Sequence, residues 1–151
     1  MASTVSKWAC EVPDDFQFTF KLSKSITHNK GLQFEPSGVD SFMQIISNVG
    51  EKKGCLMVQF PPSIKIDKTN QVEKLLSTIQ NANLNNEWKV AIEFRDKSWY
   101  KNDIYDLLDN YRMGLVVQDM PDSTTPTLEI STNFVYLRFH GLDGSYRELP
   151  R

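Results

Sequence analysis

The sequence predicts an α/β fold of the barrel type, with parallel strands alternating with helices and one face of the sheet turned into a lumen. Two observations predict it. Five short apolar runs, FQFTFK, CLMVQF, KVAIEFR, GLVVQD and FVYLRFH, recur with helical or loop stretches between them. Strand–helix alternation of this kind builds a parallel sheet with right-handed crossovers. Within the runs, apolar residues occupy alternate positions, as in Phe16, Phe18 and Phe20, Val90, Ile92 and Phe94, or Val135, Leu137 and Phe139. The intervening positions carry Lys21, Glu93, Arg95, Arg138 and His140 toward the C-terminal end of each run. Successive strand residues point to opposite faces. An open doubly wound sheet is apolar on both faces, whereas a barrel turns an apolar face to its helices and a mixed face into its lumen.

Each element follows from local pattern. STVSKWACEV reads as the tail of a helix feeding the first strand, with Trp8 as its core contact. A helix carrying Phe42, Ile45, Ile46 and Val49 follows the loop after FQFTFK, with Asp40 as candidate N-cap and Gly50 and Gly54 bracketing its end. DKTNQVEKLLSTIQNANL places Val72, Leu75, Leu76 and Ile79 on one face, with Asp67 as candidate N-cap. NDIYDLLDNYR does the same with Ile104, Leu107, Leu108 and Tyr111, and Gly114 lies past its end. The last crossover, MPDSTTPTLEISTN, has no convincing helical pattern.

The bulk numbers bound the class. At 151 residues, 40% hydrophobic and 24% charged, the chain is sized for a single globular domain spanning 1–151. A net charge of −2 with scattered Lys and Arg excludes the basic stripe of a nucleic-acid reader. No run approaches the ~18 apolar residues of a membrane span, and MASTVSKWACEVP has no signal-peptide core. Two cysteines, Cys10 and Cys55, indicate no disulfide framework and a cytoplasmic setting. There is no GxGxxG, Walker loop, GxSxG or CxxC, which takes most of the weight from nucleotide-dependent, serine-hydrolase and zinc-ribbon readings and leaves the cofactor unknown.

The strings FKLSKSITH, LMVQFPPS, VAIEFRDKSW and FVYLRFHG, in this order and spacing, resemble the motifs of the YecE-like family (domain of unknown function 72) across essentially the whole chain. The resemblance implies a TIM-like barrel, whose usual length is ~250 residues, and no established activity. Measured against the family, the chain resembles the central portion of a barrel, without the two opening strands and with ELPR where a further helix, strand and helix are expected. A partial barrel of this kind has two open sheet edges, through which self-association is expected.

Strand C-terminal ends are where barrels build sites. Glu93 and Arg95, two apart on one strand, share a face; they read either as an acid/base with an anion clamp or as a self-satisfied ion pair. Arg138 and His140 repeat the spacing, and Gly141 would let backbone approach a ligand. Lys21 and the His28 loop add a cation and a titratable ring, with strand-end snorkelling as the alternative for Lys21. Gln59, ahead of Pro61 and Pro62, is a candidate orienting group. Asp119, with Glu93, His28 and His140, offers metal-type ligands, but no spacing is diagnostic of a metal and none is assigned. Trp99 and Tyr100 are candidates to stack on a sugar, or else to pack the loop.

The sequence thus predicts catalytic candidates Glu93, His140 and Asp119, and binding candidates Lys21, His28, Gln59, Arg95, Trp99 and Arg138. Their ligand class is small and anionic or polyhydroxylated. A non-catalytic binding or scaffold barrel, and a truncated gene product without activity of its own, are the alternatives.

Overall fold

The structure, a computed structural model, describes residues 2–126 and 132–140. Residues 127–131 of the last crossover, together with Gly141 and the segment beyond it, lie outside the described residues. The element order is α1 (Ala2–Glu11), β1 (Phe18–Lys21), α2 (Lys24–Thr27), α3 (Pro36–Ile46), β2 (Lys53–Phe60), α4 (Thr69–Ala82), β3 (Lys89–Phe94), α5 (Asn102–Asn110), β4 (Gly114–Gln118) and β5 (Tyr136–Arg138). The five strands form one sheet in chain order, every neighbouring pair parallel. It curls into a half-barrel with helices on its outer face.

Alternation divides the strands as the sequence predicts. The outward residues Leu56, Val58 and Phe60, Val90, Ile92 and Phe94 are buried in one core with Val39, Met43 and Ile46 of α3, Val72, Leu75, Leu76 and Ile79 of α4, and Ile104 and Leu108 of α5. The lumen face has its own small apolar floor, Cys55, Ala91 and Val116, with Phe134 and Tyr136 packed on it. Gly114 belongs to this floor. A Cβ there would sit 3.0 Å from the Phe134 ring, so glycine makes room for the aromatic plug.

Several local expectations change. Trp8 is 46% exposed, and Val5 is the buried contact of α1. The α3 helix starts at Pro36, ahead of Asp40, because proline at the first helical position is pre-set for helix. A 3-10 turn, Ile66–Lys68, precedes α4, and Asp67 pairs with Lys68 instead of capping the helix. After α5 the left-handed residue is Arg112 (φ 54°), and Gly114 opens β4. Gly54 is a strand residue, not a helix stop. Among the described residues no helix is long and apolar enough to cross a membrane.

Candidate functional site

The strand register collects the polar lumen residues at one end of the half-barrel. Gln59 of β2 lies opposite Glu93 of β3, and Gln118 of β4 opposite Arg138 of β5. Lys21, the last residue of β1, donates from Nζ to Gln59 Oε1 at 2.7 Å. These groups, with Arg95 and His140 just past their strands, form the candidate site at the C-terminal ends of the strands.

Glu93 is its centre. The carboxylate is completely buried, and its two oxygens are divided between two cations: Oε1 accepts from Arg95 Nε and Oε2 from Arg138 Nη1. Burying a lone carboxylate is costly, and pairing with hydrogen-bonded guanidiniums offsets that cost. The pair Glu93–Arg95 arises because residues two apart on a strand share a face; Arg138 comes from β5 across the lumen. Arg138 Nη1 also lies 3.7 Å from Met57 Sδ.

From Arg95 the network runs on to His140. Arg95 Nη2 donates to His140 Nε2 at 3.0 Å. A guanidinium has no acceptor, so Nε2 is the accepting nitrogen and the ring proton is on Nδ1. Nδ1 is 3.4 Å from Asp119 Oδ1, which also accepts from the His140 backbone N–H at 2.5 Å. That backbone bond, more than the ring, holds the Asp119 carboxyl below the usual carboxylate range. Asp119 therefore positions His140 from the rim.

Three cations, Lys21, Arg95 and Arg138, meet two carboxylates, buried Glu93 and Asp119 at the rim, so the mouth keeps one positive charge in surplus. Lys21 registers it. Its ammonium is pushed below the ordinary lysine range by partial burial; Glu93 opposes the shift, and Arg138, Lys24 and Arg95 add to it. His28 is lowered in the same direction by burial, then by Lys21 and Lys24. Its Nδ1 bonds the buried Thr27 hydroxyl at 2.7 Å, which fixes the ring at the edge of the site.

The remaining candidates fall elsewhere. The expected ligand-stacking role of Trp99 gives way to packing: it is fully buried, stacked on Phe94 at 4.5 Å, and donates from Nε1 to Ile64 O at 2.7 Å. Tyr100 packs the loop too, its hydroxyl donating to Ser123 O at 2.7 Å. Among the described residues no three His, Cys, Asp or Glu side chains cluster as metal ligands. Sequence reasoning passed over Gln118, which is buried and donates from Nε2 to Phe94 O at 2.8 Å and Ser123 O at 3.0 Å. The signal was present: Gly114, Val116 and Gln118 share the lumen parity, and Asp119 does not. Thr125 completes the clamp, exchanging backbone and hydroxyl bonds with Gln118 and Val116.

The fold, parallel strands curling into a half-barrel, agrees with the comparisons. A DUF72 family protein from Thermotoga maritima MSB8, solved by crystallography, superposes with a TM-score of 0.72 at 24% identity. The match covers 93% of this chain and 55% of that one, so the chain spans about half the length of that structure. No curated protein matches. The family described as "Protein of unknown function DUF72" matches residues 1–149. The chain belongs to the DUF72 family, whose function is unknown.

Proposed function

We propose that the strand-end mouth binds a small anionic ligand, a phosphate or carboxylate ester or acid, through Arg95, Arg138 and Lys21. The observation that carries this reading is the double pairing of Glu93. One buried carboxylate holds two guanidiniums in place and neutralises only one of them. Preorganised donors of this kind bind anions without first having to be ordered. Gln59 orients the Lys21 ammonium, whose charge is felt at His28. A polyhydroxylated body on the ligand would meet Gln59 and the rim residue Asp119.

The arrangement favours binding over acid–base chemistry. Both Glu93 oxygens are engaged by arginines, and His140 Nε2 already accepts from Arg95. Catalysis by Glu93 or His140, with Asp119 behind the ring, would need a ligand that draws Arg95 away and frees a lone pair. Such a ligand would itself be anionic, so the two readings share a first step. The free thiols of Cys10 and Cys55 fit a cytoplasmic protein.

The test is a thermal-shift panel of orthophosphate, a dicarboxylate and a neutral hexose at constant ionic strength, on the wild type and Arg138→Ala. Stabilisation by the anions, lost in the variant, is expected. Equal shifts in both proteins would sink the assignment.

A further inference from the structure

We propose that Gln118 makes the mouth select anions that carry their own hydrogen-bond donor, a hydrogenphosphate or a 2-hydroxy acid, over donor-free anions of similar charge. This selectivity rests on the anion reading above and names the ligand class of the same site. Among the described residues, Gln118 Oε1 is the one buried side-chain oxygen without a hydrogen-bond partner. The residue is 3% exposed, so bulk water does not satisfy that oxygen either. Buried polar atoms are almost always paired.

The orientation of the amide is fixed. Gln118 Nε2 faces two carbonyls, Phe94 O at 2.8 Å and Ser123 O at 3.0 Å, and neither can donate. Exchanging the amide atoms would set oxygen against oxygen, so the partnerless atom is the acceptor. Its place in the sheet is fixed as well. The β3–β4 ladder ends at Ile92 and Leu115. Beyond it the Gln118 side chain bridges the two strands at the Phe94 carbonyl, in the peptide that joins Phe94 to Arg95. On its other side Gln118 is registered with Arg138 of β5. Registered residues on neighbouring strands stand on one face, roughly 4.8 Å apart. Both contacts come from the strands that flank β4 within the sheet. Gln118 therefore stands between the two residues whose guanidiniums hold the anion.

Charge supplies attraction but not selection. Arg95, Arg138 and Lys21 only donate, and they attract any anion. The acceptors around them are engaged: Glu93 Oε1 and Oε2 by the arginines, Gln59 Oε1 by Lys21, and Asp119 Oδ1 by the His140 backbone N–H. Gln118 Oε1 is left for a donor that the ligand brings. At neutral pH orthophosphate keeps a proton on one oxygen and sulfate keeps none. A 2-hydroxy acid has an O–H beside its carboxylate, and the parent acid does not. A site with a buried acceptor rejects the analogue that lacks the matching hydroxyl, because the acceptor stays unpaired in that complex.

Isothermal titration of the full chain at neutral pH and constant ionic strength tests this, with orthophosphate against sulfate and 2-hydroxysuccinate against succinate. The wild type should bind the donor-bearing member of a pair roughly tenfold more tightly. The pair with the larger ratio tells a hydrogenphosphate ligand from a hydroxy acid. Gln118→Met keeps the length of the side chain and removes the acceptor. It should bind the donor-bearing anion roughly tenfold more weakly and leave sulfate and succinate unchanged. A general loosening of the site would weaken all four together. The wild-type comparison needs no variant, so it decides the matter even where Gln118→Met fails to fold. Equal affinities within both pairs would overturn the selectivity and leave the anion site standing. Equal weakening of all four anions in a folded Gln118→Met would also overturn it and make Gln118 a structural support. No binding of any of the four to the wild type would instead overturn the anion reading, and this selectivity with it.

Discussion

Replacing Glu93 by glutamine tests the electrostatic logic of the site. The substitution keeps shape and removes only the charge that Arg95 and Arg138 share. Breaking a buried ion pair by removing one partner costs about 3–5 kcal/mol, because the other charge is left uncompensated. The Arg95 and Arg138 side chains keep 14% and 22% of their exposure, so water relieves part of the penalty. We therefore expect the lower end, about 3 kcal/mol, or a fall in Tm of roughly 6–12 °C for a chain of this size. Urea unfolding followed by tryptophan fluorescence should show a lower midpoint with unchanged slope. Orthophosphate should then stabilise Glu93→Gln more than the wild type, since an anion can take the carboxylate's place between the guanidiniums. Replacing all three residues together by apolar ones of similar volume should recover most of the loss, as it does for other buried ion clusters. A loss below about 1 kcal/mol, or a variant indifferent to phosphate, would refute the reasoning.

Three further outcomes follow from single positions. Gly54→Ala should destabilise by about 1–3 kcal/mol, because its Cβ would lie 2.7 Å from Phe18 O and must push β1 from β2, whereas Gly38→Ala in α3 meets nothing within 4 Å and should not destabilise; urea midpoints in the opposite order would contradict this. Burial pushes the Cys55 thiol up to about 11, so at pH 8 a thiol reagent should modify exposed Cys10 quickly and Cys55 only on unfolding, and two equal rates would be the contrary result. Anion affinity should be constant at neutral pH and fall as pH rises through a value below the ordinary lysine range, because the Lys21 ammonium is lowered and only its charged form attracts an anion; the Lys21→Met protein should lack that step in calorimetric titrations.

The fold was legible because alternation in FQFTFK, KVAIEFR and FVYLRFH is a local property that the backbone enforces. The same parity put Glu93, Arg95, Arg138 and His140 in the lumen. What alternation could not give was pairing across strands. That Glu93 divides itself between Arg95 and Arg138 depends on the curl of the sheet, which brings β5 round to β3. Trp99 was misassigned for a related reason: a residue past a strand end can point to the mouth or to the helices, and the Ile64 carbonyl decided for the helices. Helix starts slipped at Asp40 and Asp67 because Pro36 and the 3-10 turn Ile66–Lys68 outcompeted the acidic caps. Trp8 reads as a core residue from its helix pattern alone, whereas it is 46% exposed and Val5 is the buried residue of α1.

The most direct measurement follows the arginine Nε–Hε resonances by NMR during a titration with orthophosphate at fixed ionic strength. Saturable shifts of the Arg95 and Arg138 signals, with exposed Arg112 unmoved, are the predicted result. Small shifts shared by all arginines, or shifts that never saturate, would contradict an anion site at the mouth of the half-barrel.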